Sequence, residues 1–213
     1  MMGVLTEPKI DAHCHVLDPA KFPYNPDVAY HPAGQEMGKA EYFLQLMACY
    51  EVKHALLVRP NSGYATDNRC LLDAIAMGQG RFKGIAVVNA DTDTAALRAL
   101  QAQDIVGIAF NPAFHGLDFY NDIDPLLQRL ADLGMWAQFQ TSGDQLVALL
   151  PRILRVRVRT LIDHAGRPHL ADGPQAPGLQ ALAQLADSGL GVIKISGFVK
   201  FSQQGFPFDD AQA

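Results

Sequence analysis

The chain has 213 residues, 49% of them hydrophobic and 18% charged, which is enough apolar material for one sizeable core; we expect one domain over residues 1–213. The net charge of -5 gives no reason to expect nucleic acid or an anionic membrane surface as a partner. No apolar run reaches the roughly 20 residues of a membrane span, no signal peptide is recognisable, and three cysteines without metal-ligand spacing fit a reducing compartment, so we expect a cytoplasmic protein.

The first predicted strand ends in Asp11-Ala12-His13-Cys14-His15. Side chains alternate along a strand, so Asp11, His13 and His15 are expected on one face. Two imidazoles two residues apart can converge on one metal ion, one carbonyl or one carboxylate; the alternative is a chance pair of surface histidines. The pattern therefore predicts a site at this strand end, with His13 and His15 as metal ligands if a metal is bound.

Strands and helices alternate along the rest of the chain, which predicts a parallel sheet covered by helices. An open doubly wound sheet and a (β/α)8 barrel both satisfy this alternation. After the first strand and a proline-rich loop over 18–36, the predicted strands cover 54–60, 82–89, 105–111, 135–140, 159–166 and 191–197, and the predicted helices cover 39–50, 66–78, 91–103, 122–134, 143–153 and 178–188.

Polar residues at the carboxyl ends of many strands favour the barrel, because barrel enzymes build their sites from several strands at that face. An open sheet would place them at one switch point, and usually carries a glycine-rich phosphate turn that this sequence lacks. A barrel needs about 250 residues and eight strands, whereas seven strands are predicted here, so we expect a barrel without its eighth strand. The strand-end residues are His15, Arg59, Asn89, Asn111, Gln140, His164, Lys194 and Ser196.

His164 is the third histidine of interest, because it ends the sixth predicted strand. Alternation places it on the face of Thr160 and Ile162 and turns Asp163 towards the helices. Lys194 in the seventh strand either points into the barrel, where it would need an anionic partner, or faces the helices if the register is off by one.

Several of these segments resemble one known family, the amidohydrolase-related proteins, in particular the 2-pyrone-4,6-dicarboxylate lactonases and sugar lactonases. The most specific segment is Ile162-Asp163-His164-Ala165-Gly166-Arg167-Pro168, and the similarity runs over 9–202. The other matching segments are Ile10-Asp11-Ala12-His13-Cys14-His15-Val16, Thr66-Asp67-Asn68, Gly107-Ile108-Ala109-Phe110-Asn111 and Lys194-Ile195-Ser196-Gly197.

The resemblance implies a (β/α)8 barrel that hydrolyses a small-molecule lactone. It implies that His13, His15 and His164 polarise the scissile carbonyl, either directly or through a divalent metal such as zinc. It also implies that an aspartate after the eighth strand activates the attacking water. That aspartate is missing here, and Asp163 is expected to face the helices, so we expect little or no hydrolysis by this chain.

The resemblance also bears on the substrate. Many relatives carry arginine where this chain has Ala109, which leaves Arg59 and Arg167 as anion partners and makes a less charged lactone as plausible as the pyrone dicarboxylate. The predicted substrate-binding residues are Arg59, Asn111, Gln140, Arg167 and Lys194.

Two other functions stay open at this point. One is a metal-dependent decarboxylase of the same superfamily, although Gln140 stands where such enzymes usually have a further histidine ligand. The other is a catalytically inactive, truncated barrel that acts as a binding module. Without an eighth strand, the first and seventh strands would have open edges, which predicts aggregation or a homo-oligomer.

Overall fold

The computed structural model describes Gly3, residues 5–60 and residues 62–211. Strands and helices alternate in it as predicted, with short 3₁₀ turns between them. The strands are β1 (Lys9–Cys14), β2 (Val52–Val58), β3 (Phe82–Ala86), β4 (Ile105–Phe110), β5 (Trp136–Phe139), β6 (Arg159–Ile162) and β7 (Gly191–Ile193), and the α-helices are α1 (Ala40–Cys49), α2 (Arg69–Met77), α3 (Thr94–Gln101), α4 (Pro112–His115), α5 (Asp124–Asp132), α6 (Gln145–Val156) and α7 (Pro177–Asp187).

The order of strands in the sheet is the order of the chain, β1 to β7. The registers of β1 with β2, β2 with β3, β3 with β4, β5 with β6 and β6 with β7 are all parallel. Parallel neighbours need a crossover connection, and the intervening helices provide it. The predicted α/β class is therefore confirmed.

Contacts within the chain define two compact units. The first unit comprises residues 1–89 and 94–109, and the second comprises residues 90–93 and 110–213. Each has buried apolar side chains between its strands and helices, such as Leu57, Ile85 and Leu97 in the first unit. The prediction of one domain over 1–213 stays a prediction. In the described part of the chain, no helix has the length and apolar character that crossing a membrane requires.

Helix α5 illustrates how the spacing of apolar residues and a terminal glycine determine a helix. Leu126, Leu127 and Leu130 recur at helical spacing and are completely buried. The helix ends before Gly134, whose φ of 65° is readily adopted only by glycine. The predicted helix over 122–134 is therefore confirmed to within two residues at each end.

Strand β1 departs from simple alternation. Asp11 lies opposite Ala55 and Cys14 lies opposite Leu57, so two residues on β1 span the interval that one residue spans on β2. Such a β-bulge turns the residues beyond it to the other face. Because this irregularity lies between Asp11 and Cys14, the prediction that Asp11 shares a face with His13 and His15 stays a prediction.

The carboxyl ends of β6 and β7 come earlier than predicted. Strand β6 ends at Ile162 because four consecutive residues after Asp163 have positive φ: His164 (52°), Ala165 (52°), Gly166 (71°) and Arg167 (47°). Strand β7 ends at Ile193, four residues before the predicted end at Gly197. The alternation rule therefore stops before His164.

Gly178, in the first turn of α7, tests the packing that holds this helix in the second unit. A Cβ atom there would lie 2.4 Å from the backbone oxygen of Gly143, and backbone cannot move aside as a side chain can. We expect Gly178→Ala to lower the free energy of unfolding by about 1–3 kcal/mol, as overpacking does, measured by urea denaturation.

Gly205→Ala is the matched control, since a Cβ atom there would meet nothing within 4 Å. A loss of stability for Gly178→Ala no larger than for Gly205→Ala would contradict the packing argument.

Candidate active site

His13 lies within the bulge of β1 and His15 directly follows the strand, both in the first unit. Their rings lie edge to face with centroids 5.0 Å apart, and the carboxylate of Asp11 accepts a hydrogen bond from the backbone N–H of His13 at 2.9 Å. Nδ1 of His15 lies 2.7 Å from the carbonyl oxygen of Val58. A carbonyl can only accept, so Nδ1 carries the hydrogen and Nε2 of the neutral ring carries a lone pair.

This tautomer bears on how His15 could act. A neutral His15 presents Nε2 as a metal ligand or hydrogen-bond acceptor, whereas direct donation from Nε2 to a carbonyl requires the imidazolium form. In residues 3, 5–60 and 62–211, no group of three or more His, Cys, Asp or Glu side chains is arranged to hold a metal ion. The described residues therefore do not by themselves form a complete ligand set for a metal ion.

Arg59 is directly after β2 and is only 2% exposed. Its Nε donates to the carbonyl of Asp67 (3.1 Å), its Nη1 donates to the carbonyl of Pro60 (2.9 Å), and the guanidinium lies 4.4 Å from the centre of the Tyr64 ring. Burial lowers the pKa of Arg59 to about 10. The structure thus uses Arg59 to hold the loop after β2, and its predicted role as an anion partner stays a prediction.

His164 lies in the left-handed turn after β6, in the second unit. Its Nδ1 lies 3.1 Å from the hydroxyl oxygen of Ser196. Its ring packs against the backbone of Gly197, where an added Cβ atom would lie 2.7 Å from Nδ1. Positive φ at three non-glycine residues of this turn is energetically costly and persists only where surrounding contacts enforce it.

Asp163 faces away from the helices, contrary to the prediction. Its Oδ1 lies 3.1 Å from Nζ of Lys194, and its Oδ2 accepts a 2.9 Å hydrogen bond from Gln138. Gln138 in turn accepts a 2.7 Å hydrogen bond from Lys194. It is Ile162 that faces helix α7, since a Cβ atom on neighbouring Gly166 would contact both Ile162 and Leu182 of that helix.

The three side chains form a buried network, with the Lys194 and Asp163 side chains only 7% and 3% exposed. The lysine charge is therefore balanced within the fold. The predicted role of Lys194 in binding substrate stays a prediction, and the structure gives its ammonium group two internal partners. The sequence does not predict this network, because alternation along β6 does not show which face of the strand meets the helices.

Asn111 and Gln140 sit at the ends of β4 and β5. The Asn111 side chain accepts a 3.2 Å hydrogen bond from the backbone N–H of Phe114 and so caps helix α4. The backbone of Gln140 joins β5 to the preceding segment through Phe110 and Ala113. Both residues therefore organise the ends of their strands, and their substrate contacts stay predictions.

Arg167 follows His164 by three residues and lines a cavity of about 230 Å³ in the second unit. Burial lowers the pKa of Arg167, while the negative charge of Asp163 raises it. Sequence reasoning missed the other residues of this cavity, because Ser142, His169 and Lys200 lie in loops without periodic signals. The lining residues are Ser142, Arg167, Pro168, His169, Leu170, Ala171, Lys200, Phe201 and Gln203.

The amidohydrolase family model matches residues 10–213, nearly the whole chain. The chain belongs to the amidohydrolase family. The sequence-based assignment is therefore confirmed, and with it the fold class: an α/β fold of the amidohydrolase TIM barrels, with seven strands and no eighth in residues 3, 5–60 and 62–211.

Named relatives of this amidohydrolase include lactone hydrolases. It is 27% identical over 205 residues to a 4-sulfomuconolactone hydrolase of Hydrogenophaga intermedia, covering 94% of this chain and 66% of the relative. It is 28% identical, with a TM-score of 0.81, to a probable 2-pyrone-4,6-dicarboxylic acid hydrolase of Acinetobacter baumannii solved with citric acid bound, covering 97% of this chain and 76% of that one.

A more distant solved structure shares the fold of this chain. It is an amidohydrolase of Burkholderia multivorans with bound zinc, 19% identical, with a TM-score of 0.61 over 92% of this chain and 72% of that one. The chain spans just under two thirds of the length of the sulfomuconolactone hydrolase.

Gly197 provides a test of how His164 is held. We expect Gly197→Ala to lose about 1–2 kcal/mol of stability from the left-handed backbone at a φ of 71°. We also expect displacement of the His164 ring from Ser196, visible as a change in its imidazole ¹⁵N shifts by NMR.

Gly189→Ala is the control, because Gly189 has a φ of 72° and a Cβ atom there would meet nothing within 4 Å. It should show the backbone cost and leave the His164 signals unchanged. Unchanged His164 signals in Gly197→Ala would refute the contact.

The buried pair of Lys194 and Asp163 is tested by a double-mutant cycle. Lys194→Met leaves a buried carboxylate without its cation, which typically costs about 3–5 kcal/mol. Adding Asp163→Leu removes that unpaired charge. We therefore expect the double variant to lose less free energy of unfolding than the two single variants lose together. Urea denaturation of all four proteins measures this, and additive losses would show that the two side chains are not coupled.

Proposed function

We propose that this amidohydrolase opens lactones, with strand-end histidines polarising the scissile carbonyl. The observation that carries the proposal is the family match over residues 10–213 together with histidines at the ends of β1 and β6. The lactone hydrolases named among its relatives support the same reaction class.

Lactone opening requires hydrogen-bond donors or positive charges near the carbonyl oxygen, which becomes an oxyanion in the transition state. We assign this role to His13, to His164 and to the imidazolium form of His15, since Nδ1 of His15 already donates to Val58. The contacts of each unit support it: Val58 orients His15, and Ser196 with Gly197 orients His164. A nucleophile attacks the carbonyl carbon, the ring C–O bond breaks, and the ring oxygen leaves with a proton as a hydroxyl group.

Asp163 does not serve as the base for water in this proposal. A base must reach the water that it activates, and the Asp163 carboxylate is buried with Lys194 and Gln138 as partners. In this proposal the described residues contribute the electrophilic side of the reaction.

The finer assignments are part of the same proposal. The substrate is a small-molecule lactone of the pyrone-dicarboxylate or sugar-lactone class. The cofactor requirement is none or one divalent metal bound through His13 and His15. We also propose that the protein acts in the cytoplasm and forms a homo-oligomer.

The test of this function measures the effect of the electrophilic groups in a reaction that needs no general base. Hydroxylamine attacks a lactone carbonyl without a general base and gives a hydroxamate. We expect this chain to accelerate hydroxamate formation, and to accelerate hydrolysis by water far less. His164→Gln should slow hydroxamate formation roughly 100-fold, the usual effect of removing one oxyanion donor.

His54→Gln is the control, because it makes the same chemical change at an exposed position near the start of β2. Both variants are assayed with and without a chelator, and activity that is lost with the chelator assigns the metal route. If neither hydroxylamine nor water opens any lactone of a dicarboxylate and sugar-lactone panel faster with the protein, the proposed function is refuted.

A further inference from the structure

We propose that Lys194, Asp163 and Gln138 are positioning residues of this enzyme, which together fix the imidazole of His164 against Ser196 without contacting the substrate. This inference rests on the proposed function. It assigns the buried network of three side chains to the geometry of the site rather than to substrate recognition.

Lys194 holds the chain on both sides of His164. Its backbone N–H donates to the carbonyl of Ile162 at 2.9 Å, its ammonium lies 3.1 Å from Oδ1 of Asp163, and its carbonyl accepts from the N–H of Ala165 at 2.9 Å. Ile162 and Asp163 precede His164, and Ala165 follows it. One residue therefore contacts three of the four positions from 162 to 165, which restricts where the fourth position can place its ring.

Lys194 also anchors the other side of the His164 contact. Ser196 lies two residues after Lys194, and its hydroxyl oxygen lies 3.1 Å from Nδ1 of His164. Gly197 comes next, and its backbone packs against the His164 ring. Because Lys194 anchors both the turn and the segment that faces it, the distance between His164 and Ser196 depends on this one residue.

Gln138 gives the network its direction. Its Nε2 donates to Oδ2 of Asp163 at 2.9 Å, and its Oε1 accepts from Nζ of Lys194 at 2.7 Å. One amide thus satisfies a carboxylate and an ammonium at once, which no apolar side chain can do. Gln138 lies in β5, Asp163 directly follows β6 and Lys194 directly follows β7. The network therefore joins three neighbouring strands at the point where the His164 turn begins.

The burial of the network shows what its polar groups contribute. Gln138 is 1% exposed, and the side chains of Lys194 and Asp163 are 7% and 3% exposed. Removing such a charge pair from water costs much of what its attraction returns, and apolar side chains of similar size are often as stable. Hydrogen bonds, however, have preferred distances and angles that apolar packing does not impose. The network is therefore better suited to fixing a position than to stabilising the fold.

Burial also argues against direct contact between Lys194 and the substrate. The ammonium already has Asp163 and Gln138 as partners. Moving it towards a ligand would leave the Asp163 carboxylate buried without its cation, which is strongly unfavourable.

Two variants test the proposal, and neither leaves a buried charge unpaired. Gln138→Met keeps the length of the side chain and removes both of its hydrogen bonds, while Lys194 and Asp163 still pair. The double variant Lys194→Met with Asp163→Leu replaces the charge pair by apolar side chains. Thr160→Val is the matched control, because it removes a buried hydroxyl of β6 that donates to the carbonyl of Val158, outside the network.

We expect both network variants to change the imidazole ¹⁵N shifts of His164 in NMR spectra. We also expect kcat for hydroxamate formation to fall about 10- to 100-fold, since misplacing a reacting group by about 1 Å can cost that much. KM should stay within twofold, because the network does not contact the lactone. Thr160→Val should leave the His164 signals and kcat unchanged, and urea denaturation establishes that each variant is folded under the assay conditions.

The inference is overturned if the His164 signals of both network variants match those of the unmodified protein, or if Thr160→Val shifts them equally. A rise in KM with unchanged kcat would also overturn it, and would assign the network to substrate binding instead. The NMR readout needs no turnover, so the two proposals fail separately. Shifted His164 signals in the variants of a protein that opens no lactone would refute the lactone-opening function and leave the hold of the network on His164 standing.

Discussion

The left-handed turn from His164 to Arg167 is the constraint on which the second unit depends. Four consecutive positive φ angles end strand β6 and redirect the chain within a few residues. One end of the turn brings His164 to Ser196 and Gly197, and the other brings Arg167 to the cavity with Lys200. The strain of left-handed backbone at His164, Ala165 and Arg167 is offset by these contacts and by the hydrogen bonds that close the turn.

Charge is distributed according to burial in both units. Deep in the fold, the Lys194 ammonium meets the Asp163 carboxylate, because an unpaired charge there would be prohibitive. Arg59 is buried with carbonyl and aromatic partners, and burial depresses its pKa. Arg59 and Arg167 share a further feature, since in the described part of the chain Nη2 of Arg59 and Nε of Arg167 are both buried without a hydrogen-bond partner.

The histidines show how local contacts prepare chemistry. The carbonyl of Val58 selects the tautomer of His15, so the ring presents a lone pair at Nε2 when it is neutral. Ser196 and Gly197 hold His164 from two sides. In each unit a strand end supplies the imidazole, and the next strand along the sheet supplies the group that orients it. This is how parallel strands can assemble a site from residues that are distant in sequence.

The sequence by itself determined the fold class, the family and most helices, because the alternation of apolar strands and amphipathic helices is a local property that each segment carries alone. It also identified His13, His15, His164 and Arg167 through their motifs. Only the tertiary structure decided which face of β6 meets the helices, because alternation shows which residues share a face and not which way that face points. In β1, a bulge between Asp11 and Cys14 interrupts the period-two rule itself. The Lys194–Asp163–Gln138 network and the cavity of Arg167 and Lys200 join residues from separate strands and loops, and packing brings such residues together in ways that sequence spacing does not record.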